Sequence, residues 1–314
     1  MKSKTAIIII NWNNAADTIE CLNSIKGFID TQSCIVFILD NGSKDESVSI
    51  IANHLTSKQF NYSKETLSSL TCLPGELLGK YVLVESRVNY GFAGGNNLIL
   101  RISYNLGCEY FWLLNNDTLF GRDCLTPMIE ELNKNHSLGF VGSVLMEYQR
   151  DVIQGCGSRI LPLLGITKLC LKGKILENLA FKVIKNDYQN GASLLLRKRV
   201  LDEVGYLDES YFMYFEETDW QLRAKRIGIE NALAMGSILV HKGSVSTKNR
   251  KHIFYYYFNR SSVLFFLRFY CAISAFSVIS LILVSAVRTR MNFVCFYYSL
   301  LGILDGLFDK KRSF

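Results

Sequence analysis

Short apolar runs that stop abruptly on Asn/Asp clusters constrain this chain more than any other feature. Thr5-Ala6-Ile7-Ile8-Ile9-Ile10 ends at Asn11-Trp12-Asn13-Asn14. Ile35-Val36-Phe37-Ile38-Leu39 ends at Asp40-Asn41-Gly42-Ser43, and Tyr110-Phe111-Trp112-Leu113-Leu114 ends at Asn115-Asn116-Asp117. A continuous apolar run of this length suits a strand covered on both faces, as in a parallel sheet. Helical patterns follow the first two runs, around 15–26 and 45–55. Repeated strand–loop–helix units predict an α/β domain with a doubly wound, mostly parallel sheet. Tyr81-Val82-Leu83-Val84 adds a strand, Asn89 to Asn97 opens a helix, and another helix is expected around 198–204. Residues 56–78, polar and containing Pro74-Gly75, read as an excursion from the sheet. Ligands of such sheets bind beyond the carboxyl ends of the strands, where these Asn and Asp residues fall.

Charge divides the chain. Residues 241–314 carry eleven Lys/Arg and two Asp/Glu, net +9, so the remainder is net −2 although the whole is +7. The expected organisation is a catalytic unit over 1–245 and a basic, apolar, helical segment over 246–314. Nineteen uncharged residues, Phe269 to Val287, separate Arg268 from Arg288, and a second apolar run covers Met291 to Leu304. Nineteen residues suffice for a transmembrane helix, but four serines dilute this one. Three arrangements remain open: helices lying in the membrane interface, a hairpin dipping into it, or packing on the catalytic unit with an oligomer interface. The basic balance and aromatic entry favour an anionic membrane surface over nucleic acid. The nine cysteines include no C-x-x-C pair, and no signal peptide precedes the first strand, so a reducing, cytosolic compartment is expected.

Six clusters carry a family resemblance: Asn11-Trp12-Asn13, Asp40-Asn41-Gly42-Ser43, Asn89-x-Gly91-Phe92-Ala93-Gly94-Gly95-Asn96-Asn97, Asn115-Asn116-Asp117, Phe215-Glu216-Glu217-Thr218-Asp219-Trp220, and His241. In order and spacing they resemble glycosyltransferase family 2, with its GT-A fold, over most of 5–245. The Gly-Phe-Ala-Gly-Gly-Asn-Asn stretch looks most like the rhamnosyltransferase-like branch. The resemblance implies that Asn11, Trp12, Asp40, Gly91, Gly94, Asn96 and Asn116 contact a nucleotide sugar. It implies that Asp117 and His241 hold Mn²⁺ or Mg²⁺, and that Glu217, with Glu216 beside it, acts as base. Two departures stand out: Asn115 replaces the first Asp of a D-x-D pattern, and Glu-Glu replaces the usual Glu-Asp.

Each residue also has a plainer role. Asp40 can close a turn or cap the next helix. The glycines can serve tight packing instead of presenting amides to a diphosphate. Asp117 can lie in a surface turn, and His241 can be a hydrogen-bonded, half-buried histidine. Asp219 with Arg223 four residues on reads as a helix ion pair, Trp220 as core or an acceptor-site wall, and Thr218-x-x-Gln221 as a capping box. The resulting expectation is an inverting transferase using a dTDP- or UDP-sugar and a lipid-linked or growing glycan, peripheral or monotopic at the cytoplasmic face of the plasma membrane. A sugar nucleotidyltransferase would carry a Gly-rich basic loop after the first strand, and a dinucleotide enzyme a G-x-G-x-x-G there; the chain has neither. A scaffold on a decayed transferase would have lost Asp117 or the glutamates.

Overall fold

A computed structural model describes residues 4–29, 33–72, 77, 79–176, 186–243, 251–290, 292–310 and 312. Pro74-Gly75 and the expected boundary at 245/246 lie outside them. The strands are β1 (Thr5–Asn11), β2 (Cys34–Asn41), β3 (Tyr62–Thr66), β4 (Tyr81–Ser86), β5 (Tyr110–Asn115), β6 (Thr118–Phe120), β7 (Leu138–Glu147), β8 (Ile153–Gly155), β9 (Ser158–Leu161), β10 (Ile166–Leu169), β11 (Ser193–Arg197) and β12 (Glu230–His241). The helices are α1 (Ala15–Ile25), α2 (Ser47–Ser57), α3 (Gly91–Asn105), α4 (Leu125–Lys134), α5 (Lys198–Glu203), α6 (Glu216–Lys225), α7 (Lys251–Phe269), α8 (Ser274–Arg288) and α9 (Phe293–Leu307).

The main sheet runs β3-β4-β2-β1-β5-β11-β7-β12-β6, with β8 on β7. From β3 to β5 every pairing is parallel. Strand order reverses between β1 and β5, which creates a crevice at their carboxyl ends. The expectation of a mostly parallel sheet needs correction: β11 is antiparallel to both neighbours, as are β6 to β12 and β8 to β7, so the sheet is mixed. Insertion of β11 beside β5 brings Ala192 against Asn115, whose amide donates to the Ala192 carbonyl at 3.0 Å. The polar stretch after α2 is only partly an excursion, because Tyr62–Thr66 pairs parallel with β4. An edge strand is half exposed and tolerates the polar residues that hid it in the sequence.

Alternation along the strands supplies both cores. Ile7, Ile9, Val36, Ile38, Trp112 and Leu114 pack with residues of α1, α2 and α4. Ile8, Phe37, Leu39, Phe111 and Leu113 face the opposite layer, which includes Trp220. Trp220 is therefore core, its Nε1 donating to the Gly205 carbonyl at 2.8 Å. Cys21, Cys108, Cys124, Cys156, Cys170, Cys271 and Cys295 form no disulfide.

The C-terminal helices form an outer layer. Helix α7 lies against the catalytic unit, and α8 and α9 pack on α7. Two glycines allow α9 its close approach. A Cβ at Gly302 would come within 2.2 Å of the Tyr256 carbonyl oxygen, and one at Gly306 within 2.8 Å of that of Arg260. Backbone cannot yield as a side-chain tip can. Gly302→Leu is therefore expected to cost about 3 kcal/mol or more in urea unfolding. Gly121→Ala, which meets nothing within 4 Å, should change stability little.

Candidate active site

The crevice is organised by a hydrogen-bond relay across three strand ends. Buried Asn11, at the end of β1, donates through Nδ2 to Asp40 Oδ2 at 2.7 Å, and its Oδ1 accepts from Thr18 Oγ1 at 2.8 Å. Thr18 Oγ1 in turn accepts from Asn116 Nδ2 at 2.9 Å. Asp40 also accepts from the Ser43 amide at 3.0 Å and the Ser43 hydroxyl at 2.6 Å. Asp40 thus closes its own turn; helix α2 starts only at Ser47. The relay fixes how the β1, β2 and β5 ends sit relative to one another. Trp12, half-buried, follows Asn11 directly.

The glycine-rich stretch is engaged mainly by the protein itself. At Gly91 φ is +73°, and a Cβ there would sit 2.4 Å from the Phe212 carbonyl oxygen. The Phe92 amide donates to that oxygen at 2.7 Å, the Gly91 amide to Asn89 Oδ1, and the Tyr90 amide to Asn41 Oδ1. These three amides are committed within the protein, in keeping with the tight-packing role open to the glycines. Tight packing governs Gly94 as well, where a Cβ would meet that of Tyr90 at 2.9 Å. Asn96 donates within its own helix to the Phe92 carbonyl. Asn97 clasps the Leu207 backbone in both directions.

Asp117 and His241 meet at the far side of the crevice. Asp117 Oδ1 lies 3.2 Å from His241 Nε2, and both side chains are largely buried. Pairing of β6 with β12 brings them together, His241 lying opposite Thr118. Lys242 reinforces the contact: its amide donates to the Asp117 carbonyl, and its ammonium bridges Asp17 and Glu20 of α1 at 2.6 and 2.7 Å. Gln154 fixes the imidazole. Its Nε2 donates to the His241 carbonyl at 3.1 Å, so its Oε1 faces Nδ1 at 2.6 Å and calls for a proton there. In the neutral ring, the Nε2 lone pair then points at a carboxylate oxygen, an arrangement that a cation between them satisfies. Among the described residues no group of three or more His, Cys, Asp or Glu could hold a metal ion. A carboxylate and an imidazole fit Mn²⁺ or Mg²⁺ in donor chemistry, and Asp117 and His241 would supply two ligands.

Glu216 and Glu217 open α6, but not behind the expected capping box. The helix starts at Glu216 with Phe215 at the cap position, and Phe215 makes no side-chain cap. Thr218 falls in the first turn, and Gln221 instead clasps the Gln189 backbone at 2.7 and 2.9 Å. The start is set by tertiary anchoring. Phe212, Tyr214 and Phe215 all have left-handed backbone, φ +64°, +69° and +68°. Each such residue costs about 1–2 kcal/mol unless its surroundings hold it. Helix α7 does so: Ser261 Oγ donates to the carbonyls of Tyr211 and Met213, and Arg260 donates to that of Ser210 at 2.7 Å. Phe212 stacks on Tyr257, and Phe215 packs on Phe258, Phe265 and Phe266. Asp219 is wholly buried and accepts from Arg223 at 2.6 Å, as expected, and also from Arg268 at 2.7 Å and Tyr211 at 3.0 Å.

Burial raises the pKa of both glutamates, and the charge of Glu217 raises that of Glu216 further. This outweighs the helix dipole, which alone favours ionisation. Glu217 is opposed by the amides of Gly191 and Thr218, which stabilise its carboxylate. Glu216 is thus the partner that keeps its proton to higher pH. One oxygen of each, Oε2, has no hydrogen-bond partner. Glu217 rests on Gly191, its Cγ 3.5 Å from where a Cβ would stand. Gly191 precedes Ala192, which pairs with Asn115, so Glu217 belongs to the same rim as Asp117.

A model of the glycosyl transferase family 2 matches residues 6–204. The chain belongs to glycosyl transferase family 2. That match includes the relay and Asp117 but ends before Glu216 and His241. Among curated proteins the chain is 25% identical over 153 residues to the low-salt glycan biosynthesis hexosyltransferase Agl10 of Haloferax volcanii, covering 46% of this chain and 47% of that protein. It is 22% identical over 233 residues to the dTDP-rhamnosyl transferase RfbF of Shigella flexneri, covering 73% and 66%. The matches thus span about half and about two thirds of those relatives' lengths. Among solved structures, mannosyltransferase PcManGT from Pyrobaculum calidifontis, in complex with GDP-Man and Mn²⁺, superposes with a TM-score of 0.60 at 14% identity, covering 99% of this chain and 89% of that one. GalNAc-T7 with UDP, GalNAc and Mn²⁺ gives 0.56 at 12% identity, covering 84% and 47%. The family membership and these superpositions agree on a GT-A fold.

Sequence reasoning missed Gln154, Lys242 and the grip of α7 and gave Gln221 a capping role in place of its clasp on Gln189, all contacts made across large chain separations. The raised pKa of Glu216 has a consequence for stability. Near its ordinary value of 4.5 and below, the proton stays on in folded and unfolded chains alike. As pH rises towards the raised value, only the unfolded chain ionises freely, and folding stability falls. Glu216→Gln removes that loss. Urea melts should show the variant gaining on the native chain as pH rises above the ordinary 4.5 of a glutamate; a gap independent of pH would contradict the buried, protonated state.

Proposed function

We propose that this protein is an inverting glycosyltransferase that moves a sugar from a nucleoside diphosphate to a hydroxyl of a lipid-linked or growing cell-surface glycan. Two observations support the reading: half-buried Glu217, next to buried Glu216, adjoins Gly191, one residue before the Ala192 that pairs with Asn115, and Asp117, two residues beyond Asn115, meets His241. A Mn²⁺ or Mg²⁺ held by Asp117 and His241 would neutralise charge on the departing diphosphate. Asn11 and Asp40 hold the nucleoside end of the crevice, with Trp12 as a packing face. Asp40 Oδ1 accepts one amide only and retains capacity for the imide N–H of thymine or uracil. Asn116 steadies the loop that presents Asp117, and Gly91 and Gly94 let α3 and the 212 loop approach the crevice closely.

Glu217 acts as the base. Its unpartnered oxygen accepts the proton of the acceptor hydroxyl as that oxygen attacks the anomeric carbon, opposite the leaving diphosphate. The attack inverts that carbon. Glu216 remains neutral beside it, so only one negative charge faces the acceptor. Two features support dTDP-rhamnose as the first donor to test: the Gly-Phe-Ala-Gly-Gly-Asn-Asn stretch and the dTDP-rhamnosyl transferase relative. The acceptor and the basic C-terminal layer point to work at the cytoplasmic face of a membrane, in peripheral or monotopic attachment.

A panel of nucleotide sugars, with and without Mn²⁺, is expected to show nucleoside diphosphate release from one donor, dependent on metal and acceptor. Silence across the panel with a competent lipid-linked acceptor would contradict the reading. Glu217→Gln should keep nucleotide binding while kcat falls about 10²-fold or more; near-normal kcat would move the base to Glu216. Because the Glu217 pKa is raised, kcat should fall as pH drops through a value above the ordinary 4.5 of a glutamate.

A further inference from the structure

The two outer helices are amphipathic with their faces reversed. A surface helix of a water-soluble domain turns its apolar stripe inward. On α8 the inward stripe is Ser277, Leu281, Ser285 and Thr289, whereas Phe276, Ile279, Leu283 and Val287 point outward with 67%, 60%, 65% and 78% of their surface exposed. Helix α9 repeats the pattern. Ser299, Gly302, Asp305 and Gly306 are buried, and Phe293 and Leu304 are exposed. Small and polar residues at helix–helix contacts with large apolar ones outside is how helices pack when lipid is their solvent.

The same packing rules out an upright α8. Although Cys271–Arg288 is long and apolar enough to cross a bilayer, its inward stripe is committed to the protein. Ser277 Oγ donates to the Pro162 carbonyl at 2.6 Å, and a Cβ at Gly165 would lie 2.6 Å from the Ser277 carbonyl oxygen. Further along, Ser285 Oγ donates to Asn259 Oδ1 of α7, and the Tyr255 hydroxyl to the Arg288 carbonyl. Sinking α8 across the bilayer would carry α7 with it, including buried Arg260, and would strip these carbonyls of partners. Charge fits an anionic partner: no Asp or Glu occurs between Glu230 and Asp305, while exposed Arg288 and Arg290 close α8 and the turn after it.

We propose that the outward face of α8 and α9 is a docking surface for an anionic bilayer, on which both helices lie flat at headgroup depth without spanning it. This deepens the membrane attachment in the functional reading by assigning the surface, the orientation and the lipid chemistry. Full-length protein is expected to co-float with phosphatidylglycerol-containing vesicles and to bind pure phosphatidylcholine at least tenfold less well. Ile279→Glu/Leu283→Glu, both solvent-facing, should keep the native melting temperature and lose at least tenfold in vesicle binding. Donor-dependent release to a soluble acceptor should stay at the native level, which separates docking from catalysis. Tryptophan at position 283, introduced by Leu283→Trp, should be quenched by lipids brominated near the headgroup. Undiminished vesicle binding by the folded double variant, quenching deepest at the bilayer centre, or a dimer that these substitutions dissociate without any vesicle binding would each overturn the proposal.

Discussion

The grip of α7 on the loop before α6 is the constraint on which the rest of the molecule depends. Three aromatics within four residues, Phe212, Tyr214 and Phe215, hold a backbone conformation that L-residues avoid. They keep it because Ser261, Arg260 and a run of aromatic rings on α7 leave no alternative. The twist sets where α6 begins and places Glu216 and Glu217 in its first turn. It also presents the Phe212 carbonyl to the Phe92 amide, locking the start of α3. The C-terminal segment is thus part of the architecture of the candidate site. Its inner helix fixes the start of the helix that carries Glu216 and Glu217, and its outer helices carry the reversed apolar face.

Around that constraint the site divides into a rigid floor and a charged rim. The floor is the relay from Asp40 through Asn11 and Thr18 to Asn116, which joins three strand ends by short buried hydrogen bonds. The rim sets Asp117 and His241 against each other, with the imidazole orientation supplied by Gln154 from a different part of the sheet. Buried acids with raised pKa values and an acid–imidazole pair open to a cation are the kinds of groups that reaction chemistry requires near neutral pH. Neither pair stabilises the fold cheaply: two buried glutamate oxygens lack hydrogen bonds altogether.

What the sequence displayed was the local part of this. Apolar runs ending in Asn11, Asp40 and Asn115 announced buried strands and a polar edge, and each run forms the strand it suggested. Asp219 with Arg223 was legible because four residues on a helix bring them together. Tyr62–Thr66 was hidden because an edge strand need not be apolar, and antiparallel β11 because direction leaves no mark on a short apolar run. The false capping box at Thr218 shows tertiary contact overriding a local signal: Phe215 is pinned by α7, so the helix starts three residues early. Reversed amphipathicity was invisible for a related reason, since composition shows that serines and large apolar residues alternate but not which of them face inward.

The central claim is that distant side chains form one donor-binding and proton-accepting centre. A crystal structure with Mn²⁺ and the nucleoside diphosphate of the preferred donor tests it most directly. The account predicts the ion coordinated by both Asp117 and His241 Nε2, the base beside Asp40, and Glu217 facing the sugar position from the side opposite the diphosphate. Nucleotide bound elsewhere, or an ion that leaves both Asp117 and His241 untouched, would contradict it.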